Sequence, residues 1–536
     1  MDSEKAQALN TEFSKIYTSP TVDTPDSGPL PEDGVTLDCI HVSRVEVIEY
    51  FKGMKSTSAS GPDNISSTFL KGVMYQIDEI LSYLFNLSLR TCTLPSIWVH
   101  AHVTPVYKGK GSPNSPSNYR PISLLCIISK CLEFVIKKHL VRYLNAKDFF
   151  SPYQFGFRPR RSTELQLLYV LNNWTSCLDE GHNIGVLYID FKKAFDLSPH
   201  SSLLSKLKSV GVGGGLLKWF GAYLTRTQQV VVNDSKSDTT IITSGVPQGS
   251  LLGPILFLIY VNDLPQAVLD AHCVMYADDT KIYQVVDNEA DSVRFQSVID
   301  EVCVWCSRWG MKLNVLKTNV MHLGKSNPCL PYFALGTKLD RVDMTKDLGV
   351  TISGDLSVRK HVKNVCGIAN YRIKLLKSCF TNTDIKFLLS LYKTYILPLF
   401  TYCCTVWYPQ YQCEWNMLER VQRDALAYIY RGVNYHQALK MSNLLTIQKL
   451  FQVYDLVMVF KIYNNLVDAN LNDFFTLSQM VTTRGHSCKI FKPRCRLDIR
   501  KKSFAFRTVN GWNELNCEPS LLTIKDFRNY LYSTYI

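Results

Sequence analysis

The sequence predicts an α+β fold with a mostly helical C-terminal region, and three observations lead to this prediction. The stretch NIGVLYID, residues 183–190, is apolar and β-branched, as in a strand buried on both faces. Two further strand-like runs, residues 273–276 and 280–286, are separated by a short turn and predict a hairpin. Beyond residue 384, apolar residues recur with helical spacing to about residue 473.

Length and composition are those of a large globular protein. The chain has 536 residues, enough for roughly three to four domains or subdomains. No apolar run approaches the ~18 residues that span a bilayer, and the polar, acidic first residues do not resemble a signal peptide. The 17 cysteines lack a disulfide-framework spacing. They predict free thiols in an intracellular protein of the nucleus or cytoplasm, not a secreted one.

The net charge of +13 is unevenly distributed along the chain. Residues 1–50 carry three Lys/Arg and ten Asp/Glu, whereas the rest carries 56 and 36, a net charge of +20. A body of this sign favours a polyanionic partner such as nucleic acid, because binding to phosphates releases counterions. The alternative is a basic protein whose charge only keeps it in solution.

The N-terminal half alternates predicted helices with loops rich in turn-forming residues. Residues 1–35 are predicted to be an acidic, flexible lead-in, since their second half is rich in Pro, Ser, Thr and acids. The helical patterns are residues 43–94, a long segment ending near residue 146, and residues 163–180. A Gly-Pro turn at 58–64 interrupts the first of these, and the loops between them are 108–121 and 151–162.

The second half is predicted to be richer in helices. A strand candidate, QQVVVN, occupies residues 228–233. The helical patterns outside the long C-terminal stretch are residues 201–209, 291–308 and 361–378. The segment 481–508 differs from its surroundings, because it carries nine Lys/Arg and one Asp.

Asp278 and Asp279 lie side by side at the predicted hairpin turn. Such a pair can be a solvated turn, a calcium site or half of a two-metal site. A third acid, Asp190, favours the last of these, because a carboxylate at the end of a buried strand is costly unless it is paired or bound to a cation. Three carboxylates together need roughly two divalent cations to offset their repulsion. Mg²⁺ suits this role, since it binds carboxylates, water and phosphates and can assist phosphoryl transfer as a pair.

A family resemblance supports the same interpretation. LYIDFKKAFD, SGVPQGSLLGPILF and YADD, in this order, resemble the palm motifs of reverse transcriptases. The flanking stretches GPDNI, PVYKGKG, NYRPISLL, QFGFRPRRST, WGMKLNVLKTNVMHLG and KDLGVTISGDLS resemble the polymerase of non-LTR retrotransposons of the jockey or CR1 kind. With LYKTYILPLFTYCCTVWYP and NGWNEL near the C-terminus, the resemblance covers about residues 36–520.

The resemblance implies a right-hand polymerase with fingers, a palm containing an antiparallel sheet, and a thumb. It implies an RNA-directed DNA polymerase that extends a primer 3′-hydroxyl with deoxynucleoside triphosphates. An RNA template and a DNA primer or target are the implied partners, and no membrane is involved. Two Mg²⁺ ions are the implied cofactors, with Mn²⁺ as a substitute. The implied domains are the lead-in (1–35), a fingers-rich part (36–170), the palm (171–330, within a core of about 100–330), thumb-like elements (331–440) and a helical, basic C-terminal region (441–536).

Carried over to this sequence, the resemblance makes Asp190, Asp278 and Asp279 the catalytic and metal-binding acids. Asp190 and Asp278 would bind both metals, and Asp279 would assist. Phe191 would offer its backbone carbonyl to a metal. Asp196, the alternative third acid, is given a structural or capping role.

The nucleotide-binding positions follow from the same resemblance. Lys108 and Arg120 match triphosphate-binding residues of the fingers, where Arg grips phosphate through two hydrogen bonds. Gln248 would contact the incoming nucleotide and the template. Gly249, together with Gly245, would allow close approach of the backbone to a ligand. Phe195 is either a steric gate against ribonucleotides or a core residue. Lys317 is either near the leaving pyrophosphate or merely solvated.

The sequence leaves two questions open, one toward each end of the chain. Arg500, Lys501 and Lys502, in the basic segment, either hold nucleic acid or form a solvated face. Elements of this kind usually carry an endonuclease before the polymerase, and only a short acidic segment precedes GPDNI here. We therefore expect a fragment or a divergent copy. The rival functions are a catalytically silent nucleic-acid-binding remnant and a cellular or intron-type reverse transcriptase.

Overall fold

The computed structural model describes residues 1–15, 17, 34–381, 384–478 and 486–535. The chain divides into two compact units, each made of three segments. The first unit comprises Met1–Phe157, Ile189–Leu269 and Val298–Val315, and the second comprises Arg158–Tyr188, Asp270–Ser297 and Leu316–Ile536. All 17 cysteines are free thiols, as the sequence predicts. Among the described residues, no helix is long and apolar enough to cross a membrane.

Helices dominate the described chain. In order they are α1 (Asp2–Ser14), α2 (Arg44–Gly53), α3 (Ser67–Gly72), α4 (Met74–Thr91), α5 (Ser96–Val99), α6 (Ile127–Ala146), α7 (Thr163–Glu180), α8 (Ala194–Leu197), α9 (His200–Ser209), α10 (Gly214–Leu224), α11 (Gly253–Val261), α12 (Glu289–Trp309), α13 (Arg359–Cys379), α14 (Ile385–Leu391), α15 (Leu397–Thr401), α16 (Gln412–Ile429), α17 (Tyr435–Ser442), α18 (Ile447–Tyr463), α19 (Asp498–Lys501), α20 (Phe504–Asn513) and α21 (Ile524–Tyr535).

The strands are shorter and form several sheets. In order they are β1 (His100–Tyr107), β2 (Tyr119–Leu124), β3 (Ile184–Ile189), β4 (Arg226–Val232), β5 (Ser235–Lys236), β6 (Thr240–Ile242), β7 (His272–Tyr276), β8 (Asp279–Val285), β9 (Asn319–Leu323), β10 (Phe333–Ala334), β11 (Thr337–Lys338), β12 (Asp340–Arg341), β13 (Met344–Asp347), β14 (Val350–Ser353), β15 (Thr476–Leu477) and β16 (Ile490–Phe491). The α+β class predicted from the sequence is confirmed.

The first unit contains a five-stranded sheet in the order β2-β1-β4-β5, with β6 also paired to β4. β1 and β2 are antiparallel, with Tyr107 opposite Tyr119, whereas β1 and β4 are parallel. The basic segment predicted as a loop at 108–121 joins β1 to β2 over residues 108–118, and its last three residues belong to β2. This strand pair therefore carries Lys108 and Arg120 on one rigid element.

Helix α1 packs against this sheet. Its side chains Ala6, Leu9 and Phe13 are buried in one cluster with Val103 of β1 and Val230 of β4. The prediction of a flexible lead-in was therefore wrong for this part of residues 1–35, because a helical stripe of three apolar side chains finds an apolar partner surface. Residues 18–33 of the lead-in lie outside the described residues.

The second unit contains a five-stranded sheet in the order β12-β9-β3-β8-β7. β3 is antiparallel to β9, and β7 is antiparallel to β8, whereas the short β12 is parallel to β9. A side chain at Gly185 of β3 would lie 3.0 Å from the ring of Phe295 on α12. The helix packs closely on the central strand there, which explains the glycine in an otherwise bulky strand.

Helix α7 leads the chain into β3 and has a clear signal at each end. The Ser162 side chain accepts a hydrogen bond from the backbone N–H of Leu165 at 3.1 Å, which caps the first turn. Gly181 ends the helix with φ +102°, a conformation that favours glycine. Trp174 of α7 meets Tyr283 of β8 edge to face, with ring centroids 5.8 Å apart, so that α7 packs on the sheet.

The C-terminal helices of the second unit are joined by a buried ion pair. Arg507 of α20 donates two hydrogen bonds to the carboxylate of Asp455 on α18, at 2.7 and 2.8 Å. Burial raises the pKa of Asp455, and the facing guanidinium opposes this shift. Arg507 therefore serves the packing of these helices.

Candidate active site

The hairpin of β7 and β8 carries the acidic pair. Its two strands pair up to Tyr276 and Asp279, which leaves Ala277 and Asp278 as the turn. Ala277 has φ +56°, a value that residues other than glycine rarely adopt. Positive φ at the first turn residue is typical of the two-residue turns that match the twist of a hairpin. The hairpin is confirmed, and it presents Asp278 half-buried and Asp279 exposed.

The neighbouring strand β3 runs antiparallel to β8. Asn183 immediately precedes β3, and Val286 immediately follows β8. The backbone N–H of Val286 donates to the carbonyl oxygen of Asn183 at 2.8 Å. The carboxylate of Asp287 accepts from the backbone N–H of Asn183 at 2.7 Å. The other end of β3 and the start of β8 are therefore at the same edge of the sheet. Asp190 is the residue that follows β3 in the chain.

Asp190 is held by Asn314, and both belong to the first unit. The side-chain Nδ2 of Asn314 donates to Oδ2 of Asp190 at 2.7 Å, and its backbone N–H donates to the carbonyl oxygen of Asp190 at 2.8 Å. Phe191, the next residue, forms an isolated backbone bridge with Leu313. Sequence reasoning missed Asn314, although it lies in the stretch WGMKLNVLKTN that carries part of the family resemblance.

The loop SGVPQGS, residues 244–250, packs against the segment that follows Asp190. Gln248 donates from Nε2 to Oδ1 of Asp196 at 2.9 Å. Gly245 has φ +80°, and a Cβ there would lie 2.6 Å from the backbone of Asp196. At Gly249, with φ +124°, a Cβ would lie 2.4 Å from the carbonyl oxygen of Ser123. The glycines do allow close backbone approach, but the nearest backbone is the protein's own.

Asp196 has an unusual electrostatic environment. Burial raises the pKa of its carboxyl to about 6, while the hydrogen bond from Gln248 and the positive charges of Lys193 and Lys108 oppose the shift. The group is therefore mostly ionised at neutral pH despite its burial. The family resemblance gives Asp196 a structural or capping role. In the structure, its carboxylate also accepts a hydrogen bond from Gln248.

Phe195 packs against two other aromatic rings. Its ring stacks on Phe257 of α11 with a centroid separation of 4.3 Å and meets Phe157 edge to face at 6.2 Å. Its backbone carbonyl accepts from the N–H of Val246 at 2.8 Å. The side chain is only half-buried. The core interpretation and the steric-gate interpretation of Phe195 are therefore compatible.

The two cations of the β1–β2 strand pair are exposed. Lys108 donates from Nζ to the carbonyl oxygen of Ser117 at 2.7 Å. Arg120 lies opposite Val106 in the strand register. Because the charge of Lys108 influences the pKa of Asp196, the structure brings Lys108 near the Asp196–Gln248 pair. Lys317 belongs to the second unit, where it is exposed just before β9.

The basic C-terminal segment is less available than the sequence suggested. Arg500 donates three hydrogen bonds to α7. Two go to the backbone and side-chain oxygens of Asn172, both at 2.8 Å, and one goes to the hydroxyl of Thr175 at 2.9 Å. These contacts tie Arg500 to the fold, and its contact with nucleic acid stays a prediction. Lys501 is exposed and pairs with Asp498 at 3.0 Å, and Lys502 lies 4.2 Å from the ring centroid of Tyr411. Arg484 lies outside the described residues.

The acids are chemically suited to magnesium. In the described part of the chain, no group of three or more His, Cys, Asp or Glu side chains is arranged to hold a metal ion. The carboxylates of Asp190, Asp278 and Asp279 are nevertheless hard oxygen donors of the kind that Mg²⁺ prefers, and Mg²⁺ fills its other positions with water and phosphate. The donor chemistry therefore fits.

Comparison with known proteins adds a family match. Residues 108–352 match the reverse transcriptase (RNA-dependent DNA polymerase) family. The probable RNA-directed DNA polymerase from transposon BS of Drosophila melanogaster is 27% identical, over 79% of this chain and 48% of that protein. The RNA-directed DNA polymerase from mobile element jockey of Drosophila funebris is 28% identical, over 67% of this chain and 40% of that protein.

A third relative is the Pol polyprotein from type-1 retrotransposable element R1 of Bradysia coprophila, 27% identical over 74% of this chain and 40% of that protein. The chain spans about half, or less, of the length of these curated relatives. All catalytic and nucleotide-binding candidates lie inside the family match, whereas Arg500, Lys501 and Lys502 lie outside it.

Proposed function

We propose that this chain, whose residues 108–352 belong to the reverse transcriptase (RNA-dependent DNA polymerase) family, extends the 3′-hydroxyl of a DNA primer along an RNA template. Deoxynucleoside triphosphates are its substrates. The observation that carries the proposal is the family match, which contains every catalytic and nucleotide-binding candidate. The relatives, named as polymerases of mobile elements, support an origin in a non-LTR retrotransposon.

Asp190, Asp278 and Asp279 are the proposed metal-binding acids, assisted by the backbone carbonyl of Phe191. The support is that β3, which Asp190 follows in the chain, and β8, which Asp278 precedes, are neighbouring strands of one sheet. Two Mg²⁺ ions, or Mn²⁺ in their place, would stabilise charge on the attacking and leaving oxygens when bound. Asn314 keeps the carboxylate of Asp190 in a fixed orientation.

The nucleotide is proposed to meet residues of the first unit. Lys108 and Arg120 would bind the triphosphate, because both are exposed cations on one rigid strand pair. Gln248, with Gly249, would contact the nucleotide and template. Phe195 would exclude a 2′-hydroxyl with the exposed part of its ring. The remaining proposed residue is Lys317, a proton donor to the leaving pyrophosphate.

We retain the right-hand architecture as a proposal. Its parts are a fingers-rich region (36–170), a palm (171–330), thumb-like elements (331–440) and a helical C-terminal region (441–536). The support is the five-stranded sheet of β7, β8, β3, β9 and β12, which lies mostly inside the proposed palm and is covered by α7.

Helix α13 is the best candidate in the thumb-like region for contact with nucleic acid. Its residues include six Lys/Arg and no Asp or Glu. Lys360, Lys363 and Lys374 are exposed, as are the apolar side chains of Ile368 and Tyr371 (49% and 69%). A helix with exposed cations between exposed apolar groups suits a phosphate backbone, which it would hold without reading sequence.

Primer extension on an RNA template tests the proposed function. The wild type should extend the primer in Mg²⁺, and Asp278→Asn or Asp190→Asn should lower the rate by several orders of magnitude while the fold is kept. Asp234→Asn, in the exposed turn between β4 and β5, is the matched control and should extend normally. Extension at the wild-type rate by Asp278→Asn would overturn the mechanism. A folded wild type that binds primer-template without extending it would identify a silent nucleic-acid-binding remnant.

A further inference from the structure

The loop SGVPQGS is fixed to residues 195–199 by backbone hydrogen bonds as well as by its side chains. The N–H of Gly245 donates to the carbonyl oxygen of Ser198 at 2.7 Å, and the N–H of Val246 donates to that of Phe195 at 2.8 Å. The hydroxyl of Ser244 donates to the backbone oxygen of Asp196 at 2.8 Å. The loop therefore cannot shift relative to Asp196 without breaking several contacts.

On this fixed frame, the Asp196 carboxylate decides how the Gln248 amide is turned. An ionised carboxylate can only accept hydrogen bonds, so the group facing it must be the NH₂ of the amide. The carbonyl oxygen Oε1 is then directed away from Asp196. With a neutral, two-way partner in place of the carboxylate, the amide could adopt either orientation.

We infer that Asp196 is a positioning residue for the polymerase reaction, which acts by holding Gln248 with its carbonyl oxygen turned toward the substrate side. Gln248 then presents an acceptor, suited to a hydroxyl or amino group of the nucleotide or of the primer-template. This inference rests on the proposed function, and it specifies that the side chain of Gln248 accepts a hydrogen bond from the substrate. Asp196 acts through its hydrogen bond with Gln248.

The desolvation cost of the Asp196 carboxylate supports this inference. The Asp196 carboxylate loses more solvation than its hydrogen bond from Gln248 and the charges of Lys193 and Lys108 restore, as its raised pKa reflects. A neutral side chain of the same shape would be tolerated at least as well. Groups that weaken the fold in this way are concentrated where function needs them.

A double-mutant cycle tests the inference through Asp196→Asn, Gln248→Ala and the combined variant. Single-nucleotide insertion is measured as kcat and KM for a deoxynucleoside triphosphate, and urea unfolding is measured on the same proteins. We expect Asp196→Asn to lower kcat/KM by about tenfold, the size of one hydrogen bond, without loss of stability. The combined variant should be no slower than Gln248→Ala, because Asp196 acts only through Gln248.

Each contrary outcome has a clear meaning. Additive losses in the cycle, or an Asp196→Asn variant that loses stability but keeps kcat/KM, would overturn the positioning role alone. A wild-type protein without extension activity would overturn the proposed function and this inference with it. Asp234→Asn is the matched control for removal of one carboxylate and should leave both kcat and KM unchanged.

Discussion

The side-chain amide of Asn314 donates to Oδ2 of Asp190 at 2.7 Å while its backbone N–H donates to the carbonyl oxygen of the same residue at 2.8 Å. One residue thus fixes both the backbone and the side chain of a proposed metal ligand. Because the amide is neutral, it orients the carboxylate without cancelling the charge that attracts a cation. Such outer contacts usually matter for metal affinity almost as much as the ligands themselves.

We expect Asn314→Ala to weaken metal binding by roughly 10- to 100-fold, as is usual when the partner of a metal ligand is removed. The measurement is primer extension across a Mg²⁺ titration, in which the half-saturating concentration should rise. Asn416→Ala, on the exposed side of α16, is the matched control. A variant that has the wild-type Mg²⁺ dependence would show that the hydrogen bond serves only the fold.

Phe195→Val should increase the use of ribonucleotides relative to deoxynucleotides, because the smaller side chain leaves room for a 2′-hydroxyl. It should also lower stability, since the ring stacks on Phe257 at 4.3 Å, and a partly buried ring of this kind is expected to contribute about 1–3 kcal/mol. Insertion efficiencies for both sugars and urea unfolding separate these effects. Lower stability with an unchanged sugar ratio would make Phe195 a core residue only.

The stability of the protein should fall as the pH rises from about 4 to 6, through Asp196. The folded state raises the pKa of this carboxyl from 3.8 to about 6, so it binds the proton more tightly than the unfolded chain does. The shift corresponds to about 3 kcal/mol, present in full below pH 4 and lost above pH 6. Gln248, Lys193, Lys108 and Tyr17 are the groups that face it.

Urea unfolding of wild type and Asp196→Asn at several pH values measures this effect directly. The variant cannot titrate, so its advantage over the wild type should grow between pH 4 and 6 and then stay constant. A stability difference that is independent of pH would mean that the pKa of Asp196 is not raised in the folded protein.

Nucleic-acid binding should depend on α13 more than on the C-terminal segment. Removing three phosphate contacts with Lys360→Ala/Lys363→Ala/Lys374→Ala should reduce the slope of log K against log salt by roughly 2–3 units, near one per contact. The same slope is measured for Lys501→Ala/Lys502→Ala, which should change it less. An unchanged slope for the α13 variant would exclude this helix from the binding surface.

Arg500→Ala should act on stability and leave the salt slope unchanged. Its guanidinium donates to Asn172 and to the buried Thr175 of α7, so its removal takes away three hydrogen bonds, at about 1–3 kcal/mol in all. Thermal unfolding and the salt series on the same variant separate the two roles. A reduced slope with normal stability would restore Arg500 to the nucleic-acid surface.

The sequence predicted those elements whose signals are local. Residues 163–180 form α7 with the predicted bounds, because Ser162 and Gly181 mark its ends. The apolar, β-branched stretch before Asp190 is β3, and the runs flanking the acidic pair are β7 and β8. In each case the pattern that indicated the element is also what stabilises it.

Features that depend on distant partners were not predicted. The sequence of α1 is polar and acidic, and its stripe of Ala6, Leu9 and Phe13 becomes stable only against β1 and β4, much later in the chain. Asn314 and Asp190 are 124 residues apart, and nothing in either local sequence indicates that they meet. The contacts of Arg500 with α7 are equally remote, and the charge pattern alone does not indicate them.

The central position of β3 has a consequence for how the protein emerges from the ribosome. This strand is almost wholly buried, yet Leu323, its partner across from Ile184, is made about 140 residues later. At the usual synthesis rates of about 5–20 residues per second, the strand waits roughly 7 to 28 s for the last residue of β9, the later of its two neighbours. During that interval an apolar, β-prone segment is exposed on the nascent chain. We therefore expect that slowing translation after residue 190 increases aggregation of the chain.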